Sequence, residues 1–145
     1  MIHIAPNVLN QLYADARVTF PDECCGFLFG RETGGGDRHI SDILIVDNSK
    51  EGDKRRRFEV SPRDYLRAER YAAAHDLELL GVYHSHPNHP AIPSEHDRVA
   101  AQPFFSYVIV SVRDGEIAEL TSWRLDDDQQ FEPEIVAGVG TPVQL

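Results

Sequence analysis

His84-Ser85-His86-Pro87-Asn88-His89-Pro90-Ala91-Ile92-Pro93-Ser94-Glu95-His96-Asp97 is the stretch from which the fold and the chemistry of this 145-residue chain can be worked outward. Ahead of it, Leu79-Leu80-Gly81-Val82-Tyr83 is a short apolar run of the kind that forms a buried strand. His84 and His86 then fall at the end of that strand. Because strand side chains repeat every two residues, both imidazoles point to one face. The prolines from Pro87 to Pro93 cannot continue a ladder, and Ser94 reads as the N-cap of a helix running through Arg98 toward Ala101. Ser94 and Asp97, three apart, share a face of that helix.

Two neutral imidazoles and a carboxylate are a common catalytic ligand set for zinc, with water in the fourth position. A bare His-x-His is equally compatible with a satisfied pair at a strand end, with Ser94 to Asp97 doing no more than capping a helix. The full spacing is more selective than the pair.

The rest of the chain supplies a scaffold for such a site. Pro6 suits a first helical turn, and Val8, Leu9, Leu12, Tyr13 and Ala16 follow at helical spacing, which makes an amphipathic helix packed on a sheet. Cys24 to Phe29 reads as a central strand, Gly34-Gly35-Gly36 breaks it off, and Ile40 to Val46 resumes as its partner. Ser61-Pro62-Arg63-Asp64 is a helix start, with Ser61 as cap and Pro62 at the first position, and that helix should run to about His75. Phe104 to Val112 and Ile117 to Leu125, joined by Asp114-Gly115, form a hairpin. Phe131 to Val136 adds an edge strand, and 138–145 reads as a loose tail. In order, these elements describe an α/β chain of the α+β kind, a mixed central β-sheet flanked by helices. The length fits one domain over 1–145.

Composition excludes several classes. The formal net charge of -10 argues against general attraction to nucleic-acid phosphates, and 41% hydrophobic with 26% charged residues is ordinary for a soluble globular protein. No run approaches a membrane span and no signal peptide opens the chain, so a cytoplasmic enzyme is expected. The only cysteines, Cys24 and Cys25, are neighbours whose alternating directions make a mutual disulfide awkward; they read as small buried hydrophobes. Lys50, Lys54, Arg55, Arg56 and Arg57 crowd one loop, which is either a solvated connection or a contact for an acidic partner. Asp126-Asp127-Asp128 lacks the further ligands of a calcium loop. His89 and His96 are set aside as ligands, the first between prolines and the second rotated about a hundred degrees from Asp97 around the helix.

The H-x-H-x7-S-x-x-D spacing, met here by His84, His86, Ser94 and Asp97, resembles the JAMM motif of the MPN+ metalloprotease family. Pro21-Asp22-Glu23-Cys24-Cys25-Gly26 is similar to that family's upstream glutamate segment, and Phe58-Glu59-Val60-Ser61-Pro62 to its middle section. The resemblance implies an MPN/JAB-like fold, layered like that of cytidine deaminases. It also implies zinc held by His84, His86 and Asp97, Glu23 as the base for the attacking water, and Ser94 as donor to the oxyanion. The implied substrate is a ubiquitin-like protein whose Gly-Gly tail enters as an extended strand. Short connections and the His89-Pro90-Ala91-Ile92-Pro93-Ser94 wording look like the small bacterial branch associated with ubiquitin-like sulfur carrier proteins. There the implied reaction is cleavage after the carrier's Gly-Gly. Isopeptide cleavage from lysine is the enzymatic alternative, and a metal-free MPN scaffold the non-enzymatic one. A zinc nucleoside deaminase would need H-x-E and P-C-x-x-C, which are missing.

Overall fold

A computed structural model describes residues 1–55 and 57–138. Apart from Gly138, the expected tail over 138–145 lies outside the described residues. The chain opens with β1 (Ile2–Ile4) and α1 (Pro6–Thr19), then forms the antiparallel pair β2 (Cys25–Glu32) and β3 (Arg38–Val46). Next come α2 (Pro62–Ala74), β4 (Glu78–Pro87) and the short α3 (Glu95–Ala100). The hairpin β5 (Ser106–Arg113) and β6 (Glu116–Leu125), then β7 (Phe131–Glu134) and β8 (Val136–Ala137), complete it. One mixed sheet takes all the strands in the order β7-β6-β5-β4-β2-β3-β1-β8.

Helices start where the local chemistry says they should. Pro6 sits in the first turn of α1, and Val8, Leu12 and Ala16 bury one stripe of it. Ser61 caps α2, its Oγ accepting the Asp64 N–H at 3.1 Å, with Pro62 in the first turn. Each helix covers one face of the sheet. On the α1 face, Ile2, Val8, Leu12, Leu28, Leu80, Tyr83 and Val110 form a core. On the α2 face, Phe27, Phe29, Ala68, Ala72, Val82 and Tyr107 form another. Covered on both sides, β4 is buried from Leu80 to Pro87, which is why it reads as a continuous apolar run rather than an alternating one.

Gly26 is required by close approach: a Cβ there would lie 2.3–2.5 Å from ring atoms of Tyr83. Tyr83 uses that space to cross beneath β2, and its hydroxyl donates to Asp15 Oδ2 on α1 at 2.8 Å.

β4 pairs antiparallel with β2 but parallel with β5, so the chain must cross over between β4 and β5. That crossover carries α3. The C-terminal ends of two parallel strands and the N-terminus of a helix therefore meet at one end of the sheet, the place where sites in mixed α/β sheets form.

The expected edge strand over Phe131–Val136 is corrected. Phe131–Glu134 pairs with β6 at one edge of the sheet, whereas Val136–Ala137 pairs with β1 at the other. A single residue, Ile135, links them, and its carbonyl accepts the Ile2 N–H at 2.8 Å. The two edges thus come within one residue of each other, a closure that a linear reading of strand patterns does not contain. Among the described residues no helix is long and apolar enough to cross a membrane.

Candidate metal centre

His84 and His86 alternate on the last residues of β4 and turn their rings to the α2 face, with the two Nε2 atoms 3.1 Å apart. The Nδ1 of His86 lies 2.8 Å from the Pro90 carbonyl oxygen. A carbonyl only accepts, so Nδ1 carries the hydrogen and Nε2 carries a lone pair. His84 stacks on Phe58 at 4.2 Å between ring centroids, and among the described residues its buried Nδ1 finds no hydrogen-bond partner.

Asp97 is aimed at these rings by the start of its own helix. Ser94 is the N-cap of α3: its Oγ accepts the Asp97 N–H at 3.1 Å, while Asp97 Oδ2 accepts the Ser94 N–H at 2.9 Å. This reciprocal capping box folds the carboxylate back over the first turn. Its Oδ2 thereby comes to 3.2 Å from His86 Nε2 and 3.3 Å from His84 Nε2.

Three buried acceptor-bearing atoms converge, and at most one proton, on His84 Nε2, is available to share among them. Hydrogen bonding alone leaves the set under-satisfied, whereas a cation satisfies all three. The separations fit as well. A tetrahedral zinc with nitrogen and oxygen ligands at about 2.0–2.1 Å has ligand–ligand edges of roughly 3.3 Å. Burial lowers the His84 pKa and keeps the imidazole neutral, the form that ligates a metal. Burial alone would raise the Asp97 pKa, but the neighbouring histidines and the Ser94 N–H outweigh it and hold that carboxyl well below the usual range.

Glu23 enters from the other side. It precedes β2, whose Cys25 pairs with His84, so it stands just beyond the end of the ladder. Its carboxylate and ligand atoms of His84 and His86 lie within 4.8 Å of one another. Burial, then the Asp97 charge, pushes its pKa up to about 9 against the opposing pull of Arg57. Two carboxylates thus compete for the role of third ligand. The closer contacts, and an orientation fixed by the helix cap, belong to Asp97.

A basin of about 440 Å³, lined by Glu23, His86, His89, Pro90, Ile92 and Ser94, opens the constellation to solvent. Beyond His84 and Asp97 a second cavity, of about 270 Å³, runs along Phe58, Val60, Tyr65 and Tyr107.

All five residues singled out in the sequence are therefore brought to one end of the sheet. His89 stays outside the ligand set but lines the basin, and the Nδ1 of His96 lies 3.3 Å from Arg57 Nη1. Sequence reasoning passed over Phe58 as a cover for His84 and Asn48 as an anchor for the basic loop. Both act through loop geometry and leave no periodic signal. Cys24 and Cys25 are buried free thiols, and burial raises both pKa values, that of Cys25 to about 12.

Comparison with known proteins follows the same lines. The profile of prokaryotic homologs of the JAB domain matches residues 5–126. The CysO-cysteine peptidase of Mycobacterium tuberculosis (strain ATCC 25618 / H37Rv) is 34% identical over 125 residues, 86% of this chain and 82% of the relative. The desampylase of Pyrococcus furiosus is 35% identical over 75 residues, covering 52% of this chain and 49% of the relative. Among solved structures, the solution structure of a Desulfitobacterium hafniense protein superposes with a TM-score of 0.82 at 30% identity, covering 94% of this chain and 91% of the other.

Proposed function

The chain belongs to the family of prokaryotic homologs of the JAB domain, and from that premise we propose that it is a zinc-dependent peptidase that cuts after the C-terminal Gly-Gly of a ubiquitin-like sulfur carrier protein. The observation that carries the reading is the convergence of His84 Nε2, His86 Nε2 and Asp97 Oδ2 to 3.1–3.3 Å, with Glu23 beside them on an open basin. His84, His86 and Asp97 would hold the zinc, which when bound supplies the Lewis acidity that polarises a carbonyl and makes water nucleophilic near neutral pH.

The remaining chemistry belongs to side chains. Glu23, buried and lining the basin, takes the proton of the attacking water and hands it to the leaving amine. A cation among its neighbours favours its ionised form, opposing the burial that otherwise keeps it protonated. Ser94 Oγ already accepts the Asp97 N–H, so its own hydrogen is free to donate to the oxyanion that forms on the attacked carbonyl. Pro90 holds the His86 tautomer and Phe58 covers the His84 ring, which keeps both Nε2 atoms facing inward. No covalent enzyme intermediate is needed, and the buried, high-pKa cysteines have no part in the reaction.

The test is intact mass spectrometry on two Gly-Gly ubiquitin-like substrates, one extended at its C-terminus and one linked to a lysine, with Glu23→Gln as control. Loss of the extension alone, dependent on zinc and on Glu23, is expected. Release of only the lysine-linked partner would instead support deconjugation, the reading favoured by the similarity to a desampylase. Full turnover by zinc-loaded Glu23→Gln would remove Glu23 from its role.

A further inference from the structure

Glu23 has no strand of its own to lean on, because β2 begins at Cys25. Its backbone is held instead by the loop between β3 and α2. The Glu23 N–H donates to the Lys54 carbonyl at 2.6 Å, and the Glu23 carbonyl accepts from Asn48 Nδ2 at 3.2 Å. Both peptide groups flanking the Glu23 Cα are therefore fastened to one loop.

Asn48 also organises that loop. It is 8% exposed, and its amide makes four hydrogen bonds. Nδ2 donates to the carbonyls of Glu23 and, at 3.0 Å, Arg57. Oδ1 accepts the N–H groups of Lys50 and Glu59, each at 3.0 Å. Two donors and two acceptor sites are thus fully used, the full capacity of an asparagine side chain. The Arg57 and Glu59 contacts straddle Phe58, whose ring covers His84, so the same amide locates a cover of the metal centre and the backbone of the base. Neither aspartate nor serine can reproduce this: the first has no N–H at neutral pH, and the second is too short and has one hydrogen.

We infer that Asn48 is a positioning residue for Glu23, fixing where the carboxylate stands by gripping its backbone carbonyl and tying it to the loop that carries Phe58. This rests on the reading of Glu23 as the proton carrier. A misplacement of the order of 1 Å costs roughly 100-fold in rate in such sites, so loss of the grip falls on turnover rather than on substrate affinity.

The experiment is a double-mutant cycle with Asn48→Asp and Glu23→Gln on the whole chain, reading zinc content, KM and kcat on the extended substrate. Ser49→Ala is the control; it removes one exposed hydroxyl bond to the Glu59 carbonyl while leaving Glu23 untouched. N48D is expected to keep its zinc and its KM within about twofold while kcat falls 10- to 100-fold, about what a shift of the base costs. In the Glu23→Gln background the same substitution should change the residual rate less than twofold, since it acts through the group already removed, and S49A should match wild type. Should N48D fail to fold, Asn48→Ser takes its place with the same expectations. Wild-type kcat in N48D, zinc loss, or an undiminished penalty in the Glu23→Gln background would each overturn the inference. If Glu23→Gln itself turned over fully, the parent reading would fail first; if it were inactive and N48D normal, only the role of Asn48 would fall.

Discussion

The molecule buries charge at both ends of its central strands, and it treats the two ends in opposite ways. Where β2 ends and β3 begins, Arg38 is 1% exposed, and four of its five N–H groups make hydrogen bonds. It donates to Glu32 Oε2 at 2.9 Å, to the Leu80 carbonyl at 2.9 Å, to Ser106 Oγ at 3.0 Å and to the Phe104 carbonyl at 2.7 Å. The Phe104 ring lies 4.6 Å from its guanidinium carbon, and Ser106 passes the network on to Glu134. At the other end, His84, His86, Asp97 and Glu23 point acceptors at one another, with too few hydrogens among them. A buried charge whose donors are nearly all paired is architecture, because little can be added to it. A buried cluster of acceptors is a request for a cation. The difference lies in satisfaction rather than in burial.

The largest expected effect strikes the unsatisfied end. His86→Ala should lose zinc and reduce peptidase activity to background, as judged by elemental analysis and mass spectrometry, while the metal-free protein remains folded. Wild-type protein should unfold at a lower temperature after chelation, whereas the His86→Ala protein should not respond. At zinc concentrations about 100 times the dissociation constant, linkage predicts roughly 2.7 kcal/mol of added stability. A chelator that left the wild-type midpoint unchanged would break the contrast between the two ends.

Arg38→Ala should do the reverse. It strands the carbonyls of Leu80 and Phe104, while Glu32, a third exposed, returns to water; a buried acceptor left without its partner costs about 1–3 kcal/mol. Denaturant unfolding should show that loss, yet the fraction that stays folded should retain wild-type zinc content and kcat. Unchanged stability would mean that the Arg38 network contributes nothing.

Ser94→Ala comes next, because Ser94 serves both structure and chemistry. Loss of the cap should cost about 1 kcal/mol of stability. Loss of the hydroxyl donor should lower kcat about 100-fold, near 2.7 kcal/mol, with KM little changed. Ser94→Thr keeps both atoms and should recover most of each. If Ser94→Ala lowered stability alone, Ser94 would belong with the architecture.

How far the sequence foretold this arrangement depends on distance along the chain. His84, His86, Ser94 and Asp97 are legible because strand alternation and a helix cap are local rules, and the capping box that aims Asp97 is written in four consecutive residues. Glu23 is legible only through resemblance, since the pairing of Cys25 with His84 joins segments from distant parts of the chain. Arg38 gave no signal at all: an arginine after a glycine-rich turn reads as exposed, and its burial depends on carbonyls from β4 and the segment before β5. β8 was missed for a different reason. Two residues are too few to show alternation, and the approach of one edge to the other is a property of the whole sheet.

The smallest effect offers the finest division. Tyr83 stands between the histidine end and the strand centre but faces α1, and its hydroxyl satisfies Asp15, which also accepts from Thr19 Oγ1 at 3.2 Å. Burial raises the Asp15 pKa, and the Tyr83 and Thr19 hydrogen bonds oppose that rise. Tyr83→Phe removes one of these bonds but leaves the ring filling the space beneath Gly26, so it should cost about 1 kcal/mol in urea unfolding. Its kcat and zinc content should equal wild type, because its hydroxyl is turned to Asp15 on α1 and away from His84 and His86. Should Tyr83→Phe instead lower kcat as Ser94→Ala does, the division would not run between satisfied and unsatisfied polar groups. The whole of β4, both faces together, would then have to be counted as part of the chemistry.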